Sequence, residues 1–505
     1  MISNRYPIII AFTGIIIALY VFRSATKNVV EKSIEDVHAM HKSIQESAST
    51  MDALTPIPSA ILDDKMKDAL REISKLGESL TDRFTKAGYE PSHPFVVNLA
   101  LLRLYTQQKK AATPSTSIEH DSHPQHEHYD HTTPLDDRFI SSSIYYLRFA
   151  DAMYEVSPVI AEKDVLLNVR EETATSNINI PRHMVFLDHI SKSIVVAIRG
   201  TASLSDIMTD LYIDTKPFLN TYQAHRGIAL SAEGMVESIV EAIETGRRKR
   251  SGVYSDYDIV LVGHSLGAGT ASCLGLLLSK KKYFITVYAY GSPPIVSDVM
   301  KECHSYHQYP HSINKTPTQS CIIHNFVNHE DIVTRSSKHE MSNMMTQVAM
   351  LDRLPWNAAK RTHIILVGGL DALDMTEIEV ASKTKEEFNS DDDIPLYVPG
   401  TVYVLKPTDT VVHAAALPLP VVGVVDGEES GLNKKLTSLT TSFHKATSVS
   451  RETPSLPKPP PTYNLYRLKH ASSLYNGVFY TGDNMLNDHR TGSYLHSFIH
   501  LGDNY

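Results

Sequence analysis

The stretch that most constrains this chain is IVLVGHSLGAGTASCLGLLL, residues 259–278. IVLV reads as a buried strand, and the run of small and apolar residues after Gly267 reads as a helix. Between them G-H-S-L-G has to turn the chain within a few residues, and bulky neighbours would clash with so tight a turn. Strand, tight turn and helix in that order form the setting in which a serine stands exposed at the end of a sheet. Ser265 is therefore the candidate nucleophile, framed by Gly263, His264 and Gly267. The bland alternative is a glycine-rich turn with an idle serine, and the strand–turn–helix context disfavours it.

The rest of the chain repeats this alternation. Strands are expected at 184–188, 194–199, 258–263, 284–290, 322–328, 401–405 and 463–468, where Val, Ile and Tyr dominate. Several are nearly continuous apolar runs, as central strands buried on both faces must be. Helices fit 228–244 and 268–279 between them. The alternation predicts an α/β fold with a largely parallel central sheet.

The two ends of this pattern differ from it. Residues 6–22, YPIIIAFTGIIIALYVF, form 17 residues without a charge, near the lower limit for a spanning helix. They read as a membrane anchor within 1–26. A secretory signal is the rival reading, and the flanking charges are too balanced to set an orientation. Residues 27–110 read as a helical accessory region, in which Ile61, Met66, Leu70, Ile73, Leu76 and Leu80 recur at near-helical steps. Residues 111–138 read as a polar linker carrying His120, His123, His126, His128 and His131. A solvated linker fits these better than a metal site, because neither Cys nor fixed helical spacing accompanies them. Residues 139–505 then form the main domain. An acidic insertion is expected near 376–395 and a Ser/Thr/Pro-rich one near 408–461. Within the latter, 411–425 either touches a membrane or the active site, or packs on the domain.

Charge and cysteines narrow the function. Of 505 residues, 48 are Lys or Arg and 57 are Asp or Glu, a net charge of −9, so no basic domain points to nucleic acid. Cys273, Cys303 and Cys321 are too few for a disulfide framework and favour a reducing compartment. One glycosylation triplet, at Asn314, is too little to argue secretion.

A serine hydroxyl needs a base to take its proton, and the base needs an acid to orient it. With the order Ser, Asp, His, the best acid is Asp331, after the strand at 322–328, with Asp298 as competitor. The best base is His489, with His470, His496 and His500 as competitors. An oxyanion would be met by the backbone N–H of Leu266 and by Thr201, in VVAIRGTASLSD after an early strand.

Read in order, SIVVAIRGTASLSDIMTDL, AHRGIALSA, YDIVLVGHSLGAG, VYAYGSPP, FVNHEDIV, VPGTVYVL and NMLNDHRTGSY resemble the class 3 lipases, the fungal-lipase-like α/β-hydrolases. Within that class the chain is most similar to the sn-1-specific diacylglycerol lipases. The resemblance spans roughly residues 140–495. It implies an α/β-hydrolase with Ser265, Asp331 and His489 as triad and Thr201 with Leu266 as oxyanion hole. Thr334 stands where the family often has proline, and one N-terminal segment replaces a four-helix membrane region.

The resemblance also implies a lid near 203–222, where Leu204, Ile207, Met208, Leu211 and Tyr212 share a helical face; an ordinary packed amphipathic helix fits the same pattern. The run Arg247–Arg250 fits a solvated helix end better than a contact with anionic lipid. The expected function is a membrane-anchored serine lipase acting on diacylglycerol through an acyl-enzyme, its catalytic domain on the cytosolic side. The alternatives are phospholipase A1, triacylglycerol or monoacylglycerol lipase, and a catalytically silent membrane scaffold. The expected partners are a lipid substrate and a membrane, with no cofactor and no metal.

Overall fold

Strands rich in Val, Ile and Tyr sort their side chains to alternate faces and are covered by helices on both sides. A computed structural model of the chain describes residues 85, 89, 92–93, 95–112, 129–130, 135–155, 160–170, 173–174, 179–201, 215–297, 321–365, 373, 375–382, 394–408, 462–468, 474–475 and 487–501. The elements begin with helix α1 (Phe95–Ala112), strand β1 (Tyr129–Asp130) and α2 (Asp137–Ala152). Strands β2 (Val165–Val169), β3 (Thr173–Ala174), β4 (Asn179–Ile180), β5 (His183–Asp188), β6 (Ser193–Ile198), β7 (Thr215–Phe218) and β8 (Tyr222–His225) follow. Helix α3 (Arg226–Gly252), β9 (Asp258–His264), α4 (Leu266–Lys280), β10 (Ile285–Tyr290) and β11 (Cys321–Asn328) carry the centre. The chain continues through α5 (Lys338–Asp352), α6 (Ala358–His363), α7 (Met375–Ser382), β12 (Thr401–Pro407), β13 (Tyr463–Leu468) and α8 (Thr491–Ile499).

Nine strands form one sheet in the order β1-β13-β12-β11-β10-β9-β6-β5-β2. The central five, β6, β9, β10, β11 and β12, run parallel. The edges are antiparallel: β5 and β2 on one side, β13 and β1 on the other. The sheet is thus largely parallel, as the alternation predicts. In β5 and β6, Val185, Leu187, Ile194, Val196 and Ile198 face the cluster made with α3 and α4. Met184, Phe186, Val195 and Ala197 face the opposite cluster, with Phe139 and Leu147 of α2 and Tyr494 and Phe498 of α8. This is the two-residue period of a strand buried on both faces.

A third cluster lies off the sheet. Leu101, Leu102 and Leu104 of α1 pack against Met341, Met344, Met345 and Val348 of α5 and against Trp356. Ile332 and Val333, directly after Asp331, belong to it too. Each fully buried leucine contributes about 2 kcal/mol of transfer free energy. Helix α5 starts at an N-cap, where Ser337 Oγ accepts from the Glu340 N–H at 3.1 Å. Polar groups lock the same contact. The Asp352 carboxylate accepts from Asn98 Nδ2 at 2.7 Å, from the Ser92 N–H at 2.7 Å and from Tyr89 Oη at 2.9 Å. Arg361, fully buried, donates to Asn98 Oδ1 and to the carbonyls of Asp352, Leu354 and Trp356.

Three readings need adjustment at their edges. Helix α3 continues to Gly252, so the basic run 247–250 lies inside its last turns rather than after its end. Part of the expected acidic loop is helix α7, whose Ile378 is buried. The end of the expected linker supplies β1, which pairs with β13. The segment 6–22, the histidines of the linker, the lid face at 204–212 and residues 409–461 lie outside the described residues. Among the described residues, no helix is long and apolar enough to cross a membrane.

Candidate active site

The parallel strands β9, β10 and β11 end side by side, so the loops that follow them converge. Ser265 sits between β9 and α4 with φ 60° and ψ −131°. For a residue with a Cβ this is a strained backbone, kept in place only by its surroundings. The Ser265 N–H donates to the Tyr290 carbonyl at 2.8 Å, and its own carbonyl accepts from Ala268 at 2.9 Å. The glycines let the helix start this close to the strand. A Cβ on Gly263 would stand 2.4 Å from the Gly267 carbonyl, and one on Gly267 would stand 2.4 Å from that of Ile198.

His489 Nε2 lies 2.9 Å from Ser265 Oγ, and its Nδ1 lies 3.0 Å from each oxygen of Asp331. The sequence separates these residues by up to 224 positions; the fold brings them into one buried row. Asp331 follows β11, held by its N–H on the Asn328 carbonyl at 2.9 Å. Its Oδ1 accepts the Val333 N–H at 2.9 Å. Burial alone would raise the Asp331 pKa. The nearby His489, with hydrogen bonds from His489 and Tyr494, outweighs burial and holds it below the ordinary carboxylate value.

Leu266 is the first residue of α4, so its N–H has no partner within the helix and is available to an anion. Thr201 follows β6 and is partly buried. Its neighbour Gly200 lies against the elbow, where a Cβ would come within 3.0 Å of the Ser265 Cβ. Of the competing candidates, Asp298 and His470 lie outside the described residues. The rings of His496 and His500 lie 4.2 Å apart, tilted at 38°, and His496 packs edge-on against Tyr463.

Sequence reasoning missed three partners. Tyr494 Oη donates to Asp331 Oδ2 at 2.7 Å and accepts the Asn328 N–H at 3.1 Å. Asp488 accepts from His329 Nδ1 and the Glu330 N–H, and its carbonyl accepts from Asn328 Nδ2 at 3.0 Å, which fixes the residue just before His489. Tyr154 lies 2.9 Å from His264 Nδ1. No local pattern marks these residues, because each acts across a tertiary contact. Among the described residues, no group of three or more His, Cys, Asp or Glu could hold a metal. The arrangement has the parts for acyl transfer: a nucleophile, a base, an orienting acid and a backbone donor.

Residues 195–341 match the family model for lipase (class 3). Diacylglycerol lipase-beta of Mus musculus is 39% identical over 116 residues, which cover 22% of this chain and 17% of that protein. Diacylglycerol lipase-alpha of Homo sapiens is 38% identical over 119 residues, covering 22% of this chain and 11% of that one. The chain therefore spans less than a fifth of the length of these curated relatives. A mono- and diacylglycerol lipase from Aspergillus oryzae is similar over 40% of this chain and 74% of its own, at 22% identity and a TM-score of 0.30. The segment 195–341 that matches this family model contains Ser265 and Asp331, and the fold brings His489 to them from outside it.

Proposed function

We propose that this protein is a serine lipase that hydrolyses fatty-acyl esters of diacylglycerol at the sn-1 position. The observation that carries the reaction type is the row Ser265 Oγ–His489 Nε2 at 2.9 Å and His489 Nδ1–Asp331 at 3.0 Å, built on a strained elbow. In this reading Ser265 Oγ attacks the ester carbonyl while His489 Nε2 takes its proton. Asp331 fixes the imidazole tautomer and stabilises the imidazolium. The N–H groups of Leu266 and Thr201 receive the oxyanion. His489 then returns the proton to the leaving alcohol, which departs as a monoacylglycerol. Water, activated by the same imidazole, releases the fatty acid and restores the serine.

The substrate class draws its support from the names of the relatives at 38–39% identity. We further propose that residues 6–22 anchor the protein in a membrane with the catalytic domain on the cytosolic side. The 17-residue uncharged run supports this reading. Deleting residues 1–25 then moves the protein out of the membrane fraction; unchanged membrane retention would contradict the anchor.

A panel of lipids assayed with wild type and Ser265→Ala in parallel tests the function. Diacylglycerol labelled at sn-1 is expected to be cleaved fastest, with no turnover above background in Ser265→Ala. Phospholipid cleaved ahead of diacylglycerol would overturn the substrate, and equal turnover in both proteins would overturn the mechanism.

A further inference from the structure

We infer that Tyr154 and His264 are positioning residues, tying the loop that carries Thr201 to the backbone of His489. The inference rests on the serine-hydrolase reading above.

The two nitrogens of His264 have different partners. Nε2 lies 2.6 Å from the His489 carbonyl and Nδ1 lies 2.9 Å from Tyr154 Oη. Burial, reinforced by the adjacent His489, pushes the His264 pKa down to about 3, so the ring is neutral at physiological pH. A neutral imidazole has one donor and one acceptor. A carbonyl only accepts, so Nε2 carries the proton and donates to His489. Nδ1 must then accept, and Tyr154 donates to it. Burial raises the Tyr154 pKa, which keeps that donor protonated.

At its other side Tyr154 meets the loop after β6. The Arg199 guanidinium lies 5.6 Å from the centre of its ring, and the backbone N–H of Gly200 faces its hydroxyl. A Cβ on Gly200 would stand 2.5 Å from Tyr154 Oη and 2.4 Å from the His264 carbonyl. The chain of contacts therefore runs from residues 199–200, next to Thr201, through the phenol and the His264 imidazole to the main chain of the base. The rings of His264 and His489 lie 4.7 Å apart at 34°, so a neutral His264 also leaves the imidazolium formed on His489 without a second cation beside it. Neither residue touches the reacting ester in this account. Both hold the base, and the loop that supplies an oxyanion donor, in register with Ser265, where misplacement by about an ångström costs rate.

The test uses the full chain and a soluble short-chain p-nitrophenyl ester, with active sites counted by fluorophosphonate titration. Tyr154→Phe keeps the ring and loses the donor. His264→Met loses both polar contacts, whereas His264→Gln retains an N–H for the His489 carbonyl. The expected result is a fall in kcat per titrated site of about ten-fold in Tyr154→Phe and His264→Met, with KM unchanged and His264→Gln within about three-fold of wild type. A merely structural role would lower the number of titratable sites and leave kcat per site alone, and that result in Tyr154→Phe would overturn the inference. Should Tyr154→Phe yield no folded protein, equal kcat per site in His264→Gln and His264→Met would overturn it. Should the His264 variants not fold, Tyr154→Phe alone decides. Failure of wild type itself to label or turn over would instead reject the hydrolase reading.

Discussion

The phenol of Tyr494 donates a 2.7 Å hydrogen bond to Oδ2 of Asp331 from the helix that starts two residues after His489. One short segment thus supplies both the imidazole that pairs with Asp331 and the hydroxyl that steadies the same carboxylate. Asp331 and Tyr494 are fully buried and His489 is nearly so, so the carboxylate depends on these partners and not on water.

Tyr494→Phe is expected to lower kcat by about ten- to a hundred-fold with little change in KM, because a hydrogen bond to a buried charge contributes about 1.5–3 kcal/mol. Steady-state kinetics on a soluble ester check this. The variant also removes one of the groups that hold the Asp331 pKa down. That depressed pKa stabilises the fold above the unfolded carboxylate value, and the contribution is lost as pH falls through the folded value. Tyr494→Phe should therefore be less stable than wild type at neutral pH and lose less stability than wild type on acidification below the unfolded carboxylate value.

His264 gives a second dependence on pH. Its folded pKa of about 3 lies below the unfolded value of about 6.5. Between these values the unfolded chain binds a proton that the native ring does not, so stability rises with pH across that window and is fully present above about 6.5. The slope from this one group is about 1.4 kcal/mol per pH unit. Thermal unfolding midpoints measured from pH 4 to 7 should fall less steeply on acidification in His264→Gln than in wild type. Parallel curves would show that His264 titrates alike in both states.

Asp352 joins α1 to the helices that follow Asp331. Asp352→Ala leaves the buried Asn98 amide, and the less covered donors of Tyr89 and Ser92, without this acceptor. A loss of about 3 kcal/mol is expected, read as a lower unfolding midpoint and as faster proteolytic release of the N-terminal segment. The same change should weaken the support under Ile332 and Val333, which share the buried cluster with α1.

How far this was legible in the sequence depends on the range of the interaction. The central strands were readable because a continuous apolar run such as IVLV has one stable place, the middle of a covered sheet. The strand at Tyr463–Leu468 falls where the alternation predicts it. Gly263 and Gly267 mark the elbow because contact at 2.4 Å excludes any side chain there. The antiparallel edge strand Val165–Val169 was not foreseen; its residues are only partly covered, so the apolar signal is weak. Tyr154, Tyr494 and Asp488 were missed for a different reason. Each lies far in sequence from at least one of its partners, and a lone tyrosine or aspartate has no spacing to betray it. The docking of α1 onto α5 was equally hidden, since an amphipathic pattern names a buried face without naming what covers it.

The most direct test of the central claim is to incubate the intact protein with a fluorophosphonate and map the adduct by peptide mass spectrometry. A single adduct is expected on Ser265, absent in Ser265→Ala and formed about a thousand-fold more slowly in His489→Ala. No adduct on wild type, or an adduct that forms equally fast on Ser265→Ala, would contradict it.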